Sequence, residues 1–561
     1  MPTLDHLRTL IVTPPFKMQG AMPLFGVNWD PKHRVHIWRG PPANFPAQLL
    51  PFRPLALSWG DHVERELNND GPPQIAPSHP MEDRAYQTAA VNDIQLTYAA
   101  DYPGYLLGDE VGLGKTVTAW RALQKISTPG SQILIVAPLS VLGHWREVIF
   151  ALGTEDRDVI LLNYDRLRVL YDVENAPRNK DGSKRKILKG RTLKGVARYG
   201  EVEAPDFVVW DECHRLKNLE TARAKFAFKL YQPGSFHIWL SATPGQVPLE
   251  LGCLLPLLRR KTHGTSNTTC TIEMLESWAK DVGVGITRGK YGAYCWQSDK
   301  KDCDLVADIL FVQKDRDGVT GAIRRLPESI AGWPTLQRQL YPCELTEGER
   351  EMYQKDWETF QAELNAMPIA KRNFRSTDGA AALTRFLQKA SLLRVPHTTE
   401  LAKDLHASGK KVAISCRWLQ TVAALQKAFA DAGISTTTIT GATRTEAERQ
   451  AAIQSFHTGQ ADIIIFTVVE GINLQEEAYV TPDKPRAQID HDLRWSGIEA
   501  HQIDGRCHRN GKFALVYWCY GQDTKEEAVA ERVIQRLRQI KYLTNDDPEL
   551  IDALEKDFCA V

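Results

Sequence analysis

Two stretches decide how this chain is read: Gly112-Leu113-Gly114-Lys115-Thr116, set between a short apolar segment and a helix-compatible run, and Phe207-Val208-Val209-Trp210-Asp211-Glu212, a buried-strand pattern ending in two acids. Gly112 and Gly114 free the backbone for a tight turn whose N–H groups, together with a helix N-terminus, cradle phosphates. Lys115 suits the β and γ phosphates of ATP, and Thr116 offers a hydroxyl to Mg²⁺. The first glycine of the general G-x-x-x-x-G-K-T pattern is here Asp109. In the second stretch, a carboxylate at a strand end orients the metal (Asp211) while its neighbour polarises the attacking water (Glu212), which is the division of labour that phosphoryl transfer to water requires.

Outward from these stretches, short β-branched runs alternate with helical segments. Ile133-Leu134-Ile135-Val136, Val159-Ile160-Leu161-Leu162 and Ile238-Trp239-Leu240 flank the first block, and Val412-Ala413-Ile414, Ile463-Ile464-Ile465-Phe466 and Leu515-Val516-Tyr517 mark a second. Such alternation predicts parallel sheets covered on both faces, so the fold class is α/β with two lobes. The expected organisation is a small β-rich unit over 1–80, lobe 1 over 81–340, a helical insertion over 341–410 belonging to lobe 2, lobe 2 over 411–545, and a tail over 546–561. Within the first unit, Phe25 to Trp38 alternates and turns like a hairpin. Helical spacing marks 419–431, 446–457 and 524–542.

The second lobe carries Gln502-Ile503-Asp504-Gly505-Arg506-Cys507-His508-Arg509-Asn510-Gly511. Read as helical, this run puts Arg506 and Arg509 on one face, where guanidinium forks would stabilise a transferring γ-phosphoryl group.

These motifs, in this order, resemble those of helicase superfamily two, and specifically the Swi/Snf-type ATPases. The resemblance spans about residues 82–541. It rests on Tyr86-Gln87, on Asp109 to Thr116 with the family's own Asp at the first position, and on Ala137-Pro138-Leu139-Ser140 with Trp145. It continues through Asp211-Glu212-Cys213-His214 to Asn218, Ser241-Ala242-Thr243-Pro244, Gly441-Ala442-Thr443 with Glu448-Arg449, Gly471-Ile472-Asn473-Leu474, and the Gln502 to Gly511 segment. It implies two RecA-like lobes that close on ATP and grip duplex DNA. Gln87 would sense adenine, Gln502 would contact the nucleotide, and Ser241, Ala242 and Thr243 would couple nucleotide state to the DNA grip. Asn163 would lie where lobes of this kind meet nucleic acid. The sequence departs from the family at Cys213, usually Ala, at Val469-Glu470 in place of Gly-Gly, and at Lys512 in place of Gln. The β-rich unit over 1–80 is more loosely similar to the modules that precede the motor in annealing-helicase relatives.

The 561 residues are 43% hydrophobic and 25% charged, which excludes a wholly disordered, collagen-like or coiled-coil chain. Lys+Arg and Asp+Glu both total 69, so contact with a polyanion must come from local clustering. Residues 178–198 supply such a cluster, with Lys184, Arg185 and Lys186 at its centre and Asp181 as its one acid. The chain shows neither an apolar run of membrane-spanning length nor a basic start followed by an apolar segment, which predicts an intracellular protein. The ten cysteines lack a C-x-x-C pair, which predicts reduced thiols and no structural metal.

The reading is a DNA-stimulated ATPase, expected as a monomer, that translocates on double-stranded DNA. Two alternatives stay open: a strand-separating or annealing helicase acting on forked DNA or RNA, and an ATP-dependent binding switch with negligible hydrolysis.

Overall fold

A computed structural model describes residues 10–12, 23, 27–30, 35–38, 84–154, 157–165, 167, 205–265, 268–288, 294–296, 300–315, 318–330, 332–367, 377–443, 446–469, 471–475, 484–509 and 511–560. The chain divides after Arg324 into two compact units, with Glu110–Leu113 grouped with the second.

Near the N-terminus, β1 (Leu10–Val12), β2 (Val27–Asp30) and β3 (Val35–Trp38) form an antiparallel sheet with β3 central. Val27 pairs with Trp38 and Asp30 with Val35, so the two strands of the stretch expected to turn back on itself run antiparallel.

The first unit's main sheet uses β4 (Gly104–Leu107), β5 (Gln132–Ala137), β6 (Asp158–Asn163), β7 (Phe207–Asp211), β8 (Phe236–Leu240) and β11 (Ala322–Ile323) in the order β11-β4-β8-β7-β5-β6. All its pairings are parallel. A separate short hairpin joins β9 (Ile286–Arg288) to β10 (Tyr294–Trp296). Parallel strands need both faces covered, and the side-chain alternation shows how this is met. Phe207, Val209, Ile238 and Leu240 meet the helices Ala85–Ala99, Lys115–Ile126 and Leu142–Leu152 on one face. Trp210, His237 and Trp239 are buried on the other, with Tyr231 against them. Gly104 is required by this packing, because a Cβ there would lie 2.2 Å from the His237 carbonyl oxygen.

His237 sits inside the aromatic layer. Its Nδ1 accepts the Trp210 indole N–H at 3.0 Å, which fixes the ring's proton on Nε2, buried without a hydrogen-bond partner among the described residues. Leaving that N–H unpaired costs about 1–3 kcal/mol. Contacts with Trp210, Tyr231 and Trp239, at about 0.5–1.5 kcal/mol per aromatic pair, are enough to offset it. A charged ring has no such compensation, and burial pushes the His237 pKa down to about 3. The folded pKa lies below the unfolded one, so the unfolded chain binds the extra proton and stability falls as pH drops below about 6.5. The expected loss from this ring is about 2 kcal/mol by pH 5. Urea midpoints at pH 7.5 and pH 5 measure it. His237→Gln, which keeps an acceptor for Trp210, should lose less; equal acid sensitivity in both would contradict the assignment.

The second unit's sheet uses β12 (Arg338–Cys343), β13 (Lys411–Ser415), β14 (Thr436–Ile439), β15 (Ile463–Phe466), β16 (Arg486–Asp490) and β17 (Ala514–Gly521), in the order β12-β17-β16-β13-β15-β14, again parallel throughout. The first unit was expected to run to 340, but β12 pairs with β17 along its whole length and so belongs to the second sheet. The helices Glu347–Ala366 and Thr377–Leu393 share a core of their own around Tyr353, Phe360 and Phe386, whereas the next helix, Val395–Ala407, packs Leu401, Ala402 and Leu405 on the sheet. Residues 546–561 were expected as a tail. Glu549–Ala560 is instead a helix that buries Ile551 and Leu554 against Val533 and Leu537 of the Glu527–Leu543 helix, with Arg538 Nε 2.7 Å from Asp552 Oδ1.

Among the described residues no helix is long and apolar enough to cross a membrane.

Candidate nucleotide site

In a parallel α/β sheet the loops that leave the carboxyl ends of the strands converge on one edge, where ligands bind. In the first unit β4 runs into Gly108 and the glycine loop, β7 into Glu212, β8 into Ser241-Ala242-Thr243, β5 into Pro138, and β6 into Tyr164. The motifs singled out in the sequence therefore share one edge because each follows a strand of the same parallel sheet.

The glycine loop reaches the Lys115–Ile126 helix through Gly114, whose φ of 77° is left-handed and suits glycine. Gln87, near the start of its own helix, lies directly on this glycine. Its Nε2 donates to the Gly114 carbonyl at 3.4 Å, its Oε1 accepts from Arg84 N–H at 3.2 Å, and a Cβ on residue 114 would come within 2.5 Å of it. Gln87 thus touches the glycine loop. Lys115 Nζ donates to the Asp109 carbonyl at 2.8 Å, so the ammonium is held over the loop interior, and Thr116 is buried beside it.

Asp211 ends β7 buried. Trp145 Nε1 donates to its Oδ2 and the Tyr164 hydroxyl to its backbone carbonyl, each at 2.8 Å, so the residue is held by one bond to its side chain and one to its main chain. Burial first, then the Glu212 charge, raise its pKa to about 6, against the Trp145 hydrogen bond and the Lys115 ammonium, which lower it. Glu212 adopts left-handed φ 54°, ψ 54°, a conformation costing a non-glycine residue about 1–2 kcal/mol. Strain of this kind gathers at functional positions. Its Oε2 lies 3.3 Å from His214 Nδ1, and that nitrogen lies 3.2 Å from Ser241 Oγ, which accepts the Thr243 N–H at 3.2 Å. A run of close polar contacts therefore leads from Glu212 to Ser241-Ala242-Thr243, all three buried. His214 and Trp145 were visible in the motifs, but nothing in their spacing announced these contacts.

Cys213 is fully buried, and Cys253 Sγ lies 3.8 Å from its carbonyl oxygen. Both are free thiols. Asn163, expected toward nucleic acid, is turned inward: it is 7% exposed and its Oδ1 accepts from Asp165 N–H at 3.0 Å, closing the turn after β6. Lys184, Arg185 and Lys186 lie outside the described residues.

In the second unit the arginine segment departs from expectation. The helix is Gly497–Asp504 and stops at Gly505, so Arg506 and Arg509 share no helical face. Arg506 is buried, with Nη1 donating to the Ile472 carbonyl at 3.2 Å and its own carbonyl accepting from Leu474 N–H at 3.1 Å. Arg509 bridges Lys512 in a tight reversal completed by Gly511 at φ 80°. The physical reason is that a turn through glycine lets the segment clasp Gly471-Ile472-Asn473-Leu474, which a continuing helix would not reach. Gln502 lies on the helix, 1% exposed, with its Oε1 lacking a hydrogen-bond partner among the described residues.

Two parallel sheets with a glycine–lysine–threonine loop and an acid pair at the carboxyl edge of the first define a P-loop nucleotide hydrolase of two RecA-like units. Residues 86–395 match the SNF2-related domain and residues 396–511 the helicase conserved C-terminal domain. The chain belongs to the SNF2-related family of ATP hydrolases. It is 23% identical over 557 residues to the uncharacterized ATP-dependent helicase YqhH of Bacillus subtilis (strain 168), covering 89% of this chain and 90% of that one. It is 22% identical over 548 residues to the protein CHROMATIN REMODELING 19 of Arabidopsis thaliana, covering 81% and 68%. A solved Sulfolobus solfataricus SWI2/SNF2 ATPase core in complex with dsDNA aligns at 17% identity over 86% of this chain and 98% of that one, with a TM-score of 0.31.

Proposed function

We propose that this chain is a DNA-stimulated ATPase that translocates on double-stranded DNA and thereby remodels DNA or protein–DNA complexes. The observation that supports the reading is the run of close polar contacts from Glu212 through His214 to Ser241 and Thr243, along which a water-activating carboxylate would act on a coupling segment. Lys115 exchanges the Asp109 carbonyl for the β and γ phosphates, Gln87 reads adenine at the loop, and Glu212 takes the proton of the attacking water. Arg506 and Arg509, carried by the second unit, neutralise the charge on the transferring phosphoryl group, with Gln502 as a further nucleotide contact. Thr116 and Asp211 are oxygen donors of the kind Mg²⁺ prefers, and the crowded negative charge at Asp211 is what a cation would relieve. Bound there, the ion would supply positive charge at the phosphate oxygens.

Membership of the SNF2 family supports duplex DNA as the track. Third-strand displacement from a duplex–triplex substrate tests movement directly. ATP-dependent displacement that Glu212→Gln abolishes is expected; duplex-stimulated hydrolysis without displacement would refute translocation.

The basic cluster within 178–198 is proposed as a phosphate contact. Replacing Lys184, Arg185 and Lys186 by Ala should weaken duplex binding and flatten log K against log salt by up to about 0.9 per lost contact. An unchanged slope would remove these residues from the interface.

One observation favours the fork reading as a second possibility. Trp29 on β2 is 52% exposed, a surface aromatic suited to stacking on an unpaired base. Deleting residues 1–78 should then abolish preference for forks while sparing duplex-stimulated hydrolysis, and a retained preference would count against it.

A further inference from the structure

Arg324 is the residue that follows β11, the edge strand beside β4. Ile323 pairs with Leu107, and the Gly108 N–H donates to the Ile323 carbonyl at 2.8 Å, so the chain passes the start of the glycine loop at backbone contact. On β4's other side Leu107 pairs with Leu240, and Ser241 N–H donates to the Leu107 carbonyl at 3.4 Å. At this edge, one guanidinium nitrogen spans both loops. Arg324 Nη1 donates to the Gly108 carbonyl at 2.6 Å and to the Ala242 carbonyl at 3.0 Å. Gly108 opens the phosphate-binding loop, and Ala242 is the middle of the coupling segment.

The next carbonyl along, that of Asp109, is held by Lys115 Nζ at 2.8 Å. Lys115 and Arg324 therefore grip successive carbonyls at the base of one loop. The two grips differ in what happens to them when ATP binds. Lys115 leaves Asp109 as its ammonium turns to phosphate, whereas the Gly108 and Ala242 carbonyls that Arg324 holds belong to the two loops themselves, so ATP does not compete for them. Once Lys115 has moved, Arg324 is the side chain that keeps the loop's base in register with Ser241-Ala242-Thr243, and through Ser241 Oγ with His214 and Glu212.

We propose that Arg324 is a positioning residue for ATP hydrolysis, a clamp that holds the base of the phosphate-binding loop and the coupling segment as one body. It touches neither substrate nor the reacting water. Its loss leaves nucleotide binding to Lys115 and the loop N–H groups, and misplaces the acid pair relative to the phosphate. A misplacement of this kind lowers kcat far more than it raises KM. The proposal rests on the phosphate-binding reading of Gly112 to Thr116.

The test measures kcat and KM for ATP in the full-length wild type, Arg324→Ala, Arg324→Lys and Arg324→Gln, with Lys115→Ala alongside. Arg324→Ala should lower kcat by about tenfold or more with KM within about threefold. Arg324→Lys, whose ammonium reaches less far but still donates, should recover part of the loss. In a double-mutant cycle with Ser241→Ala, the two losses should be non-additive, because both act on the same segment. A kcat within about threefold of wild type in the folded variants, or a loss confined to KM, would overturn the clamp. Additive losses would do the same. If Arg324→Ala does not fold, the Lys and Gln variants decide by the same criteria. Hydrolysis by Lys115→Ala at the wild-type rate would instead refute the phosphate-site reading, so the two failures are told apart.

Discussion

Glu212→Gln lowers kcat for ATP hydrolysis by about 10³-fold while leaving ATP affinity within about threefold. The amide keeps the size of the side chain and its place at the end of β7, but cannot take a proton from water. Two features of the site say the loss will not come from a damaged binding pocket. Lys115 and the glycine loop, the proposed phosphate site, follow a different strand, β4. After burial, the Glu212 charge is the next cause of Asp211's raised pKa, so neutralising residue 212 makes Asp211 a better carboxylate. Fluorescent-nucleotide binding together with steady-state hydrolysis measures both quantities. A variant that hydrolyses at a tenth of the wild-type rate or faster would assign water activation elsewhere. Lys115→Ala should show the opposite split and lose affinity itself.

The second large effect is expected at the arginine segment. Arg506→Ala should reduce kcat by about 10³-fold, and Arg506→Lys should recover little of it, because an ammonium cannot present the planar fork that suits an equatorial phosphoryl oxygen array. Arg506 also holds the Ile472 carbonyl, so a parallel melting curve separates lost catalysis from a loosened second unit. Arg509→Ala should act in the same direction. Single-turnover hydrolysis with enzyme in excess reads the chemical step. An unchanged rate in both variants would show that the segment serves the fold alone.

The parts of this molecule that sequence exposes are those whose physics is local. The glycine loop needs its residues at fixed spacing, and the buried parallel strands Phe207–Asp211 and Ile463–Phe466 are apolar because both their faces are covered. The β16 strand, Arg-Ala-Gln-Ile-Asp, is equally buried yet gives no apolar run. Its polar side chains are satisfied in place: Gln488 Nε2 donates to Asp490 Oδ1 and to the Ile503 carbonyl, and Arg486 Nε to the Leu474 carbonyl. Gly505 was a legible stop signal, and extending the helix past it to Arg509 overrode that signal. The C-terminal helix was missed because its amphipathic face is short and gains meaning only against Val533 and Leu537. Arg324 is illegible for a different reason. Its partners Gly108 and Ala242 lie 216 and 82 residues away in sequence, and strand order alone brings them together.

Duplex DNA is proposed to drive hydrolysis at this site. Steady-state ATP turnover of the purified protein, measured without nucleic acid and with plain duplex, single-stranded DNA, forked DNA and RNA, tests it most directly, with Lys115→Ala run in parallel to exclude contamination. Strong stimulation by plain duplex, absent in Lys115→Ala, is expected. Stimulation confined to forks, single strands or RNA, or no turnover with any of them, would contradict it.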